Sequence, residues 1–203
     1  MTKRTEVLEL AVLGLLHDSP MHGYELRKQL TALLGWGRSL SYGSLYPALK
    51  DLVRRGLIAE SAPDPTVGRS RRAKIVYELT ADGKEHFTGL ISEAGPAAWD
   101  DEPFGVHFAF FARTDAETRM RILEGRRSRL EERLATFRAS LHKTRERLDS
   151  YTLELQRHGL ESVEREVRWL DELIDHERQA SGETRRSPIA GASGTNKKEE
   201  QPS

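Results

Sequence analysis

Two short β-like runs, GLIAES (56–61) and KIVYELT (74–80), follow directly on three apolar-periodic segments, and this order constrains the fold more than any other feature. A lone two-stranded hairpin is marginal in water, so the helices before it must supply its core. The first segment, TEVLELAVLGLLHDSP, places Val7, Leu8, Leu10, Ala11, Leu13, Leu15 and Leu16 on nearly every side of a helix. It reads as a largely buried helix stopped by Asp18-Ser19-Pro20. The second, HGYELRKQLTALLG, sets Tyr24, Leu26, Leu30, Leu33 and Leu34 near helical spacing and ends at Gly35. The third, SLSYGSLYPALKDLVRRGLIAE, ends at Gly56, just past Arg55, where a C-terminal glycine belongs.

Charge adds a direction to this pattern. The chain carries 32 Lys and Arg against 32 Asp and Glu, yet from Arg38 to Lys74 the count is eight basic against three acidic. A basic patch on a neutral protein points to a polyanion met by one face. Three of those cations, Arg69, Arg71 and Arg72, fall between the two β-like runs in the stretch APDPTVGRSRRA, and a fourth, Lys74, opens the second run. Three helices and a hairpin with a basic tip is the order of a winged helix-turn-helix. The expected fold class is therefore mostly α: a winged helix-turn-helix domain of three helices and a two-stranded wing, followed by a long-helix arm.

The third helix spends its start on groups that pack poorly. With Ser41 as its cap, the N–H groups near Tyr42, Gly43 and Ser44 lack helical partners and carry the positive end of the dipole. Leu45, Leu49, Leu52 and Val53 form the core side. Tyr42, Gly43, Tyr46, Pro47, Lys50 and Arg54 then face outward, the placement of a major-groove reader that uses its N-terminal residues on base edges. Pro47 meets the carbonyl of Gly43, the residue best able to move aside, and a bent first turn is expected. The basic residues of the wing suit phosphate or minor-groove contact. The competing role for Tyr42 and Tyr46 is packing under the wing.

Beyond Thr80 the chain resumes as helix, then GPAAWDDEPFGVHFAFFARTD interrupts it. Trp99, Phe104, His107, Phe108 and Phe111 in this stretch offer flat faces for an effector, or simply pack the junction. A new helix is expected from Thr114, with Glu117 completing a capping box. Two seven-residue registers follow, Leu123, Leu130, Phe137, Thr144 and Tyr151 in one, Arg127, Leu134, Leu141, Leu148 and Leu155 in the other. Gly159 is read as the break, and Val163, Val167, Leu170 and Ile174 as a second stripe. The result is a helical-hairpin arm whose first helix runs about 66 Å at ~1.5 Å per residue. That is too long to cover its own seam, so a homodimer is expected. The expected organisation is a DNA-binding domain over 1–88, a junction over 89–113, a dimerisation arm over 114–180 and a disordered tail over 181–203, where Ser, Gly, Pro and charge leave little to bury.

Several functions are set aside. The chain has no cysteine, so disulfide and thiolate chemistry are excluded and a reducing compartment, the cytoplasm, is expected. No run of 18 apolar residues or leader pattern is seen, and no membrane partner is expected. Asp100-Asp101-Glu102 reads as a solvated acidic turn, and the seven histidines make no metal signature. With no nucleophile elbow, phosphate loop or dinucleotide fingerprint, neither an enzyme nor a cofactor is expected.

The pieces LELAVLGLLHDSPMHGYEL, SYGSLYPALKDLVRRGLI and YELTADGKE, covering most of residues 7–87, resemble the PadR family of bacterial transcriptional regulators. The resemblance implies a homodimeric winged-helix repressor that binds an inverted-repeat operator, read by the helix over 42–55 with a wing tip around Arg69–Lys74. It also implies dimerisation through the long helices, and for some members a small-molecule effector, phenolic acids among them. The lengthened wing, SAPDPTVGRS, and the two-helix C-terminal region depart from the short members, and a phenolic-acid pocket does not carry over. The alternative class is a protein-interaction module acting through the arm.

Overall fold

The computed structural model describes residues 3–34, 42–61, 75–144 and 149–186. The elements are α1 (Lys3–Asp18), β1 (Met21–His22), α2 (Gly23–Leu34), α3 (Tyr42–Arg54), β2 (Ile58–Ser61), β3 (Val76–Leu79), α4 (Ala81–Ser92), α5 (Asp101–Ala109), α6 (Ala116–Thr144) and α7 (Ser150–Arg186), with 3-10 turns at Pro96–Trp99 and Phe111–Arg113. The fold is mostly α: a winged helix-turn-helix with a long helical arm behind it.

α1 is the centre of the first core. Ala11, Val12 and Leu13 are sealed on three sides of one turn, and Leu26, Leu30, Leu45 and Leu49 close around them from α2 and α3. Each fully buried leucine contributes on the order of 2 kcal/mol of transfer free energy, which lets so short a helix set anchor the hairpin. Tyr24 does not join the Leu26 and Leu30 row; it is 66% exposed, because two residues before Leu26 is the opposite side of a helix.

α3 is continuous from Tyr42 to Arg54 with Pro47 inside it, so the proline is accommodated without ending the helix. Its C-terminus is a Schellman motif. Gly56 takes φ 73°, its N–H bonds the Val53 carbonyl at 3.0 Å, and Leu57 N–H bonds the Leu52 carbonyl at 3.0 Å. Buried Leu57 and Leu52 then pack in the same core and point the chain into β2.

The two-stranded wing, β2 and β3, is joined by a third strand, β1, in one sheet. The order is β1-β3-β2, antiparallel, with Met21 opposite Tyr77 and Glu60 opposite Tyr77 on the other side. β1 is only two residues, below any alternation a sequence can display. The turn into α4 locks the sheet to the helices. Thr80 caps α4 by accepting from Gly83 N–H at 3.0 Å, while its hydroxyl donates to the Gly56 carbonyl at 2.7 Å.

A second core lies between α5, α6 and α7, built on Ala98, Phe104, Ile122, Leu123, Leu130, Leu170 and Ile174. α5 and its C-cap serve both cores, giving Val106 and the capping Phe110 to the first and Phe104 to the second. Three sequence expectations are corrected here. Helix α6 is capped by Asp115, whose Oδ1 accepts from Thr118 N–H at 2.8 Å; Thr114 instead turns inward and donates to the Phe110 carbonyl. Gly159 does not break the arm. It is exposed inside the 37 residues of α7, where a glycine costs about 1 kcal/mol, too little to end a helix packed along its partner. The break falls before Ser150, where Asp149 Oδ1 accepts from Tyr151 and Thr152 N–H, both at 3.0 Å. α6 is thus about 44 Å long at ~1.5 Å per residue, and folds back against α7.

Leu123, Leu130, Leu134, Leu170 and Ile174 are buried, and Val163 and Val167 half-buried, within one chain. The seam needs no second copy to cover it there. Phe137 and Leu141 are half-buried, while Tyr151 and Leu155 are 87% and 68% exposed. Leu148 lies outside the described residues. So does the tail beyond Arg186; residues 181–186, expected to be disordered, continue α7.

Candidate nucleic-acid interface

On α3 the buried row is Leu45, Leu49 and Leu52, and the outward row is Tyr46, Lys50 and Arg54, spaced four apart. Pro47 is exposed beside that row and Ser44 is half-buried at its start. Val53, expected in the core, is half-buried against it. Ser41, Arg69, Arg71, Arg72 and Lys74 lie outside the described residues, as does the side chain of Tyr42; Gly43 contributes backbone alone.

The two cations of α3 and Arg55, just past its end, have separate roles. Lys50 is exposed. Arg54, 75% exposed, hydrogen-bonds Asp51, and that bond holds the Asp51 carboxyl below the usual carboxylate range. Arg55 turns inward. Its guanidinium meets Glu9 of α1 through two bonds of 2.7 and 2.9 Å, and His86 Nε2 of α4 lies 2.7 Å from the same carboxylate. Burial alone would raise Glu9, but hydrogen bonds and charge from Arg55 and His86 outweigh it and hold this carboxyl below its ordinary value. The end of α3 is therefore clamped to α1 and α4.

Tyr46 keeps 36% of its surface. Its phenol lies over the start of α2, where a methyl at Gly23 would come within 3.3 Å of the hydroxyl. Its ring thus serves both readings, edge outward and body on α2. Tyr24, next to Gly23, adds an exposed ring that sequence reasoning had placed in the apolar row. The signal was available, since Leu26 and Leu30 already define the stripe and Tyr24 is out of phase with them.

Of the five aromatic and histidine positions of the junction, Trp99, Phe104, Phe108 and Phe111 pack in or against the second core, and His107 is set apart from them. Phe104, Phe108 and Phe111 form a ring series with centroids 5.8 and 5.0 Å apart, and Trp169 of α7 packs on Phe108 at 5.2 Å. Trp99 lies instead over Gly125 of α6, where a Cβ would stand 2.1 Å from the indole. His107 lines a cavity of about 210 Å³ beneath α1. Trp99 and Phe104 also border a cation that the sequence pattern did not single out. Arg126, buried in the second core, bonds Glu166 at 2.6 Å, Asp101 at 2.6 Å and the Trp99 carbonyl at 2.8 Å, with its guanidinium 5.2 Å from the Phe104 ring. Asp100 pairs with Arg129 at 2.8 Å, so two residues of the acidic turn are held by α6.

His107 is pushed down to about 4 by burial. An unfolded chain takes up that proton near pH 6.5, so the folded state loses stability as pH falls from about 6.5 to about 4. The full loss is on the order of 3 kcal/mol. Urea unfolding at several pH values should show this slope, and His107→Leu should flatten it over the same window.

Among the described residues no group of three or more His, Cys, Asp or Glu is placed to hold a metal ion, and no helix is long and apolar enough to cross a membrane.

Residues 12–89 match the family described as the transcriptional regulator PadR-like family. The negative transcriptional regulator PadR of Bacillus subtilis (strain 168) is 33% identical over 79 residues, which are 39% of this chain and 42% of that protein. The match thus spans less than half the length of the curated relative. Among solved structures, B. subtilis PadR in complex with operator DNA is similar with a TM-score of 0.40 and 22% identity, over 84% of this chain and 99% of that one. The same protein in complex with p-coumaric acid gives 0.38 and 21%, over 85% and 99%.

Proposed function

We propose, from the match of residues 12–89 to the transcriptional regulator PadR-like family, that the chain is a sequence-specific DNA-binding regulator. In this reading it is a cytoplasmic homodimeric repressor of an inverted-repeat operator, modulated by a small molecule. Residues 1–88 bind DNA, 89–113 form the junction, and 114–180 pair two copies. The observation that carries the reading is the outward row Tyr46, Lys50 and Arg54, set directly behind a sealed leucine row and clamped at its end through Arg55. A helix held so firmly on one side presents its other side without reorganisation. The matched relative's description as a negative regulator supports repression as the sign.

Two copies would set their α3 helices in successive major grooves, about 10 bp apart centre to centre. Lys50→Ala should weaken binding to DNA flanking the gene by tenfold to a hundredfold, from the ~1–3 kcal/mol of one specific contact. Replacing Arg69, Arg71 and Arg72 by alanine should lower affinity and shallow its salt dependence, by about one slope unit for each phosphate no longer neutralised. Fluorescence anisotropy across salt reads both. Variants that keep wild-type affinity and slope would remove α3 and the wing from the interface.

A second reading is an interaction module that works through the arm, favoured by exposed Tyr151 and Leu155 at the start of α7. Such a module predicts no appreciable duplex affinity, and the same titration separates the two.

A further inference from the structure

The cavity beneath α1 lies between α1, the end of α4, the turn at Pro96–Trp99 and α5. Its walls are apolar, with Val7 and Leu10 from α1, Leu90 from α4 and Ala98 from the turn. At about 210 Å³ it exceeds the ~150 Å³ that suffices for a benzene ring. Its polar groups are few and ordered by depth. His107 is buried in the lining, whereas Glu6 and Glu93 are exposed, which places their carboxylates at the mouth. Among the described residues no lysine or arginine lines it.

From this we infer that the cavity is a binding site for a small apolar molecule, ring-sized, that carries a cationic amine. An anionic head group would enter without a counter-charge and meet two carboxylates of its own sign, after losing water. An ammonium at the mouth gains both carboxylates and stays partly hydrated, while its hydrocarbon fills the interior. The imidazole, kept neutral by its burial, adds a hydrogen-bond partner without repelling the cation. The same helix that walls the cavity with Val7 and Leu10 carries Glu9, which grips Arg55 at the end of α3. An occupant that displaces α1 is therefore felt at the outward row of α3. This effector role rests on the DNA-regulator reading; the binding itself does not.

Calorimetry on the full chain without DNA tests the site, with 2-phenylethylamine, 2-phenylethanol and phenylacetate as probes of one ring and three head groups. The amine should bind at least tenfold more tightly than the alcohol, and phenylacetate should give no heat. Glu6→Gln with Glu93→Gln should erase the preference of amine over alcohol. Ala97→Leu, at the exposed rim of the cavity, should abolish binding of both. The site is overturned by phenylacetate binding as well as the amine, by amine binding that survives Ala97→Leu, or by no amine binding up to millimolar concentration. In the anisotropy titration, the amine should lower operator affinity at least tenfold in the wild type and not in Ala97→Leu. An amine that binds and leaves a measurable operator affinity unchanged overturns the effector role alone.

Discussion

Glu9→Ala is expected to cost about 3 kcal/mol of unfolding free energy, because it strips the half-buried Arg55 guanidinium of its buried carboxylate partner. Arg55 donates twice to Glu9 and once, more loosely, to Asp51 at 3.5 Å, so the loss falls at the lower end for a broken buried pair. Urea denaturation at pH 7 reads it directly. The double variant Glu9→Leu with Arg55→Leu should recover most of the loss, since an apolar pair of similar volume needs no counter-charge. The pH dependence carries a second signature. The folded-state carboxyl of Glu9 is held below its ordinary value, so its stabilisation is fully present above the unfolded value near 4.5. It is lost as pH falls through the folded value. Glu9→Ala should therefore differ from the wild type most at neutral pH and least in acid.

Gly83→Ala should be comparably damaging, by about 3 kcal/mol or a Tm lower by on the order of 10 °C. A methyl group there would stand 2.0 Å from the Leu57 carbonyl oxygen and 2.8 Å from Leu79. The first of these is backbone and cannot rotate away. Leu57 N–H closes the end of α3, and its carbonyl accepts Thr80 N–H at 3.2 Å. The clash would thus fall on the joint that holds the wing, α3 and α4 together. Thermal unfolding followed by circular dichroism measures the shift. Gly89→Ala, with nothing within 4 Å of its added carbon, is the matched control and should stabilise slightly.

Both variants act on parts of the structure that were unequally visible in the sequence. The helix order, the buried leucines of α3 and the Gly56 stop were legible because each is a local pattern with one physical reading. Gly83 was not, since the need for a missing Cβ comes from a strand that reaches it only after folding. Strand β1 escaped for a related reason: two residues become a strand only by lying beside Tyr77 and Val76. Gly159 misled because a glycine in a polar stretch looks like an ending, whereas Asp149 does the capping from a run already rich in charge. In the candidate site, the outward row Tyr46, Lys50 and Arg54 could be read from spacing. Which cation turned inward could not, because Lys50, Arg54 and Arg55 differ only in what α1 offers them. The junction aromatics Trp99, Phe104, Phe108 and Phe111 gather on the second core, whereas His107, from the same sequence neighbourhood, faces the cavity beneath α1. Arg126 was invisible as a core residue because its burial depends on Asp101 and Glu166, which meet it from two other helices.

The part of the seam between α6 and α7 that holds Leu123, Leu130, Leu134, Leu170 and Ile174 is closed inside one chain, and there becoming folded is separate from becoming paired. For a regulator of the kind proposed, two chains can part on dilution without melting. Partnership then answers to abundance, by mass action. A duplex with two half-sites would gather its own pair of readers, the first bound copy raising the local concentration seen by the second. Cooperativity would reside in the spacing of the operator as much as in the protein.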